Sequence, residues 1–299
     1  MTVSVANGTP EPIAFVRQRH SVVSIVRELW DARDLVTQFV QRDLTIRYTQ
    51  AVMGLAWALL MPLLLIGAGM MFRIVLATLS NTSLSAVSVA SLAAKSLPWA
   101  FFSAALSAAT MSIIGHSSLI GKVYFAREAL PLATILSQSP DLAIGLVILT
   151  VVFPFVGVSL SWAALWIVIM MILLLIFTVG CALLLSCANL FYRDVKYIVQ
   201  ITLNFGVFAT TVFFEPQMLG PKGAEFILAL PLSPFIQAMD VAMVHGHNLL
   251  TSATVVTAKG PVVVWAPWML GYAAGSAILL LTVGLLVFRR ASTRFAEMA

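Results

Sequence analysis

The chain has 299 residues, 61% of them hydrophobic and only 10% charged, with a mean hydropathy of +1.00. A soluble domain carries about 25% charged residues, so composition alone defines an integral membrane protein. The net charge of +5 is modest, and no soluble segment gathers Lys and Arg among aromatics. The charge therefore speaks of the two membrane faces and excludes nucleic acid as a partner.

Residues 1–20 lack the apolar core of a secretory signal and read as a disordered cytoplasmic tail. In residues 21–49, two amphipathic stretches follow each other. Val22, Ile25, Val26 and Leu29 recur at helical spacing, and then Leu35, Val36, Phe39, Val40 and Leu44 do the same, with Arg33, Asp34, Gln41 and Arg42 off the stripe. Such helices lie flat at an interface with the apolar face down, as a lipid anchor or as a surface packed against a partner.

From residue 50 to 299 the chain reads as one transmembrane domain. Residues 51–72 carry no charge, and 22 residues of helix span about 33 Å, enough to cross a bilayer. A second span is predicted over 97–115. Residues 142–192 are uncharged and too long for one helix; Pro154, Gly157 and residues 159–162 supply a turn, so the third span starts near 132 and the fourth ends near 190. The fifth span is predicted over 197–214 and the sixth over 260–288, with Pro261 and Pro267 at its start. The expected fold is all-α with six transmembrane helices.

Thirteen of the 17 Lys and Arg fall on one side of this topology, including Arg42, Arg47, Lys122, Arg127, Arg193, Lys196, Arg289 and Arg290. Arg73, Lys95, Lys222 and Lys259 fall on the other. Both termini are thus predicted to be cytoplasmic. The external segment 215–259 holds Pro216, Pro221, Pro231 and Pro234 together with the apolar pieces 226–230 and 235–244. Short apolar helices broken by prolines predict re-entrance into the outer leaflet; the alternative is a loop lying on the surface.

Candidate chemistry is sparse. The predicted spans contain almost no ionisable residues, and Asp141 is the one candidate, either a functional carboxylate near mid-depth or a capping or structural group. With no ionisable pair expected in the core, an ion-coupled transporter has no evident coupling site. Cys181 and Cys187, six residues apart, lie about 9 Å apart along a helix and read as packing residues, too far apart for a disulfide. His245 and His247 form a lone His-x-His, no Cys/His cluster has metal-ligand spacing, and neither an Asp-x-x-Asp cluster nor a Gly-x-Ser-x-Gly elbow occurs. Between Gly115 and Gly121-Lys122 stand five residues where a phosphate loop has four, and Val123 takes the place of the Mg²⁺-binding hydroxyl. ATP binding by this chain is not expected.

Three motifs in order carry a family resemblance. Arg42-Asp43-Leu44 with Arg47-Tyr48 precedes a span bearing Gly54, Trp57 and Pro62-Leu63. The loop from Ser118 to Pro131 contains Lys122, Val123, Tyr124, Phe125, Arg127 and Glu128, with Ala126 where a proline is usual. A third stretch, Asn189 to Tyr197, includes Tyr192, Arg193, Asp194 and Lys196. From about residue 34 to 289 the chain resembles the permease subunits of type-2 ABC exporters, above all those of O-antigen, capsule and teichoic acid. The resemblance implies a homodimer in the bacterial inner membrane, served by two copies of a separate ATPase subunit that binds the ATP and Mg. This chain would then hold no cofactor, and its substrate would be a lipid-linked polysaccharide.

The resemblance also distributes roles. Lys122, Val123, Tyr124, Phe125, Arg127 and Glu128 become the loop on which the ATPase docks. Tyr192, Arg193, Asp194 and Lys196 form a second cytoplasmic loop, for docking or for packing against the interfacial helix with its Arg42, Asp43, Arg47 and Tyr48. The first and fifth spans would line the path, placing Trp57, Phe205, Phe208, Phe213 and Phe214 there. On one helix Thr202, Phe205, Phe208, Thr211 and Val212 would share a stripe of rings and hydroxyls. The alternatives are a type-2 ABC permease for a drug or another lipid amphiphile, and, from a different class, a membrane-embedded glycosyl- or prenyl-transferase, disfavoured by the missing carboxylate cluster.

Overall fold

The computed structural model describes residues 22–49, 56–80, 85–116, 125–257 and 260–292. The tail 1–20 lies outside the described residues. Two short helices open the described chain, α1 (Val22–Asp31) and α2 (Arg33–Thr49), where the amphipathic stripes predicted them. Ile25 and Val36, one from each stripe, are buried. The apolar helices α3 (Ala56–Ser80) and α4 (Ala86–Gly115) follow.

The predicted hairpin of spans three and four is present. Its first arm is broken into α5 (Ala129–Leu136) and α6 (Ser139–Val152) around Ser137-Gln138, with Pro140 early in the second piece. A 3-10 turn over Phe153–Val156 leads to Gly157 at φ +84°, a conformation that suits glycine. The long helix α7 (Leu165–Phe191) returns, and α8 (Val195–Gly206) follows after a three-residue loop.

Among the described residues, four stretches are long and apolar enough to cross a membrane: Ala86–Gly115, Ala129–Val156, Trp162–Phe191 and Trp268–Ser292. The first and fifth predicted spans correspond to shorter apolar helices, Leu63–Val75 within α3 and Val195–Ala209. The fifth was expected to run unbroken to 214. Instead α8 gives way to a 3-10 turn after Gly206, and the β-branched run Thr210-Thr211-Val212 bends back into the bundle. Gly206 and β-branched residues propagate a helix poorly.

After this turn come α9 (Pro216–Leu228), kinked at Gly220, and α10 (Ser233–Met239), which continues into a π-helical turn, Asp240–Val244. Phe235, Ile236 and Met239 are fully buried, and α10 packs on both α4 and α7. The expectation of an all-α chain needs correction. Strands β1 (Ala253–Thr257) and β2 (Gly260–Trp265) pair antiparallel, with Val255 opposite Val262. Their β-branched content, Thr254 to Thr257 and Val262 to Val264, favours strand over helix. The last helix, α11 (Trp268–Ser292), therefore begins eight residues later than the sequence pattern indicated.

The core is built on α4, α7 and α11. Where α7 crosses α11 the backbones nearly touch: a Cβ on Gly180 would lie 2.5 Å from the Leu280 carbonyl carbon, and one on Gly284 would lie 2.7 Å from the Gly180 carbonyl oxygen. Close approach at small residues is how membrane helices gain packing where lipid supplies no hydrophobic drive.

Candidate functional site

At one end of the bundle, α1 and α2 are tied to the spans by charged side chains. Phe39 of α2 sits between the ring of His116, at the end of α4, and that of Phe125, each centroid 6.1 Å away. Arg42 lies over the Phe39 ring at 5.4 Å, pairs with Asp43 at 2.9 Å and contacts His116. One helical turn on, Arg47 meets Asp141 at 3.1 Å and the Tyr48 hydroxyl donates to the same carboxylate. Asp141 is thus a structural receptor for α2. Burial, and then the hydrogen bond to Asp141, push the Tyr48 phenol up to about 12.

The predicted docking loop is only partly visible: Lys122, Val123 and Tyr124 lie outside the described residues. Its other charged members face inward. Glu128 is 1% exposed and accepts from Arg289 at 3.3 Å, while Arg289 also pairs with Glu28 of α1. Arg127 donates to the Ser292 carbonyl at the end of α11. The loop, α1 and α11 therefore meet at one arginine. In the second loop Tyr192, Arg193 and Asp194 are exposed and Lys196 half-buried. Asn189, fully buried, donates to the Thr110 carbonyl at 3.0 Å and accepts from the Lys196 amide at 3.1 Å, fixing α8 to α4 and α7. A cavity of about 280 Å³ opens beside it, lined by Ser107, Thr110, Lys196, Tyr197 and Gln200.

The residues expected along a path divide into two groups. Thr202 and Phe205 of α8 and Phe208 of the following 3-10 turn are exposed, the two rings by 69% and 48%. Thr211 and Val212 are fully buried, because the chain has left the helix before reaching them. Phe213 is also buried and Phe214 half-buried; they pack on Phe72 of α3 at 6.1 and 5.2 Å, with Phe213 5.0 Å from Phe208. The expected continuous stripe is corrected to a shorter one, 202–208. Trp57 lies in the first turn of α3, and its side chain is outside the described residues.

The opposite end of the bundle overturns the expectation of a core without paired charges. Lys95, placed by the sequence pattern in an external loop, is 0% exposed and reaches Asp240 at 3.2 Å. Helix α4 starts at Ala86 and carries Lys95 more than two turns inside, while Asp240 arrives from the segment after α10. Arg73 of α3, equally buried, meets Glu215 at 2.7 Å and donates to the Ser88 carbonyl at 2.7 Å. Neither partnership is visible to periodicity, because each joins residues more than 140 positions apart.

Apolar helices of spanning length, stacked on glycine contacts and braced by interior ion pairs, define a multi-pass helical membrane protein. Its relatives narrow the class. The O-antigen export system permease protein RfbA of Myxococcus xanthus is 25% identical over 230 residues, 76% of this chain and 86% of that protein. The protein of the same name from Klebsiella pneumoniae is 25% identical over 268 residues, 88% of this chain and 94% of its own length. No protein-family model matches the chain. The likeness to polysaccharide-exporter ABC permeases carried by the three motifs thus extends along most of the sequence.

Proposed function

We propose that this chain is the permease subunit of an ATP-driven exporter that moves a lipid-linked polysaccharide across a bacterial inner membrane. The observation that carries the proposal is the collinear match to O-antigen export permeases over 88% of the chain and 94% of the relative. In this reading six spans cross the membrane with both termini cytoplasmic, and 215–259 is a re-entrant external segment. The burial of α10 between α4 and α7 supports re-entrance, since a surface loop would not place Phe235 and Met239 in the core.

Two copies of the chain pair with two copies of a separate ATPase. The exposed face of α8 and the turn after it, with Thr202, Phe205 and Phe208, lines the path between the copies, and the cavity beside Lys196 lies at its cytoplasmic foot. Rings and hydroxyls give weak, repeated contacts to a sliding glycan. The ATPase presses on the loop around residues 118–128 and on the exposed Tyr192, Arg193 and Asp194. Because Glu128 and Arg127 tie that loop to α1 and α11, a push there reaches the last span directly. The test is copurification from the native host, followed by transport in reconstituted vesicles. The reading requires an ATPase in stoichiometric amount and glycan movement that depends on ATP; robust transport by the chain without any ATPase would sink it.

A further inference from the structure

The two buried ion pairs have no part in the export reading above, yet they share one seam. Ser88, whose carbonyl accepts from Arg73, Ser91, whose hydroxyl faces Asp240, and Lys95 lie at i, i+3 and i+7 on α4, a single helical stripe. Their partners bracket one segment: Glu215 stands immediately before α9 and Asp240 immediately after α10. The whole of 215–240 is therefore pinned at its two ends to adjoining helices, α3 and α4. Asp240 opens the π-helical turn, accepts from Gln237 at 3.3 Å and lies 3.8 Å from the His245 ring. Turns of this type concentrate at functional sites.

Charge is a poor choice if the seam only has to hold. Well-packed apolar residues of similar volume hold a buried contact as firmly as an ion pair, without the desolvation cost of two charges. What an ion pair adds is a contact that is either made or broken, and charges that water takes up readily once the seam parts. The surrounding chemistry agrees. Within the segment, buried polar atoms of Gln217, Ser233 and Gln237 lack hydrogen bonds within the protein, so the closed state is incompletely satisfied and gains hydration on opening. An interface meant to stay shut would be apolar or fully paired.

We propose that Lys95–Asp240 and Arg73–Glu215 form a two-point latch that ties the two ends of segment 215–240 to α3 and α4, closes the seam along α4 and releases as a unit. The proposal rests on the export reading only for what passes when the latch opens. Closure itself is a property of this chain.

The test uses the full chain in lipid nanodiscs, with Cys181→Ala and Cys187→Ala as background and Ser233→Cys as reporter, since Ser233 is fully buried in the closed seam. A water-soluble maleimide reports opening. Labelling is slow with the latch intact and about tenfold or more faster with Lys95→Met or Glu215→Gln, as expected for a local opening equilibrium. Lys95→Asp combined with Asp240→Lys restores slow labelling. Ala105→Cys, buried on α4 away from the seam, stays slow throughout.

Equal Ser233→Cys rates with and without the latch overturn the proposal, as does fast labelling in the reversed pair, or of Ala105→Cys, which marks general loosening. If Lys95→Met does not accumulate, Glu215→Gln and the reversed pair carry the test. Surface polysaccharide unchanged by deletion of the chain removes the export reading and leaves the latch standing; unchanged labelling removes the latch whatever export does.

Discussion

The two ends of this helix bundle are both held by ion pairs, but of different kinds. At the α1/α2 end the pairs are distributed and most keep solvent contact: Arg42–Asp43, Arg47–Asp141 and Arg289–Glu28 are part-exposed, and only Glu128, the second partner of Arg289, is buried. At the other end the pairs are fewer and sealed, with Lys95–Asp240 and Arg73–Glu215 nearly without solvent contact. Exposed pairs are individually weak and adjust to a moving partner. Sealed pairs are costly to break from one side and act as discrete states. On the proposed reading, the first end flexes with the ATPase that pushes on it and the second is either shut or open.

The sharpest way to break this comparison is to remove one charge at each end. Lys95→Met leaves the Asp240 carboxylate buried and uncompensated, a loss of about 3–5 kcal/mol in unfolding free energy. Arg47→Met, whose partner Asp141 keeps solvent contact and the Tyr48 hydroxyl, costs about 1 kcal/mol or less. Denaturation of the two purified variants in the same detergent checks the order; equal losses would erase the distinction between the ends.

Arg289→Met should fall between them, at about 1–3 kcal/mol, because Glu128 is buried while Glu28 is not. Its diagnostic effect is local. With the arginine gone, α1 loses its tie to α11, so limited proteolysis should cut within Val22–Asp31 sooner than in the parent chain. An unchanged cleavage pattern would show that apolar packing, including buried Ile25, holds α1 by itself.

The paired substitution Phe205→Leu with Phe208→Leu has a smaller effect on stability, under about 1.5 kcal/mol, since both rings are exposed, on α8 and on the turn after it, and apolar volume is largely kept. Its effect on export should be larger. Surface polysaccharide, normalised to folded protein, falls if the rings contact the glycan; a wild-type level would assign them to lipid or to helix contact.

The smallest expectation concerns pH. A phenol raised to about 12 keeps its proton, and its contribution is full below its ordinary value near 10, disappearing only as pH climbs through 12. Tyr48→Phe should therefore lower the unfolding midpoint by an amount that stays flat between about pH 6 and pH 9. A difference that drifts across this window would mean that the Tyr48–Asp141 contact titrates there.

Local pattern made some of this legible and long-range pairing hid the rest. The amphipathic stripes of α1 and α2, the turn at Gly157 and the long helix ending at Phe191 follow from spacing and from residues whose preferences are strong. The end of the fifth span was placed too late because hydropathy does not see a helix stop: the helix ends at Gly206, and the chain after Ala209 carries no charge to mark it. Strand β2 was missed for the same reason, its valines being counted toward the sixth span, while β1 lay unassigned within the external segment.

In the site, Asn189 belonged to a recognised motif, yet its work, bridging the Thr110 carbonyl and the Lys196 amide, needs coordinates to find. Lys95 was misplaced because a lone lysine at the edge of an apolar run reads as a boundary. Only its partner, 145 positions away in sequence, shows that the boundary lies further out.

The most direct measurement of the central claim follows a lipid-linked glycan in the native host after this chain alone is deleted. The export reading predicts that the glycan disappears from the cell surface while its lipid-linked form accumulates inside, and that the intact chain, but not one carrying Phe205→Leu and Phe208→Leu, restores the surface level. Normal surface glycan after deletion would contradict it, and so would a glycan that is never assembled, which would mark the chain as part of synthesis instead of transport.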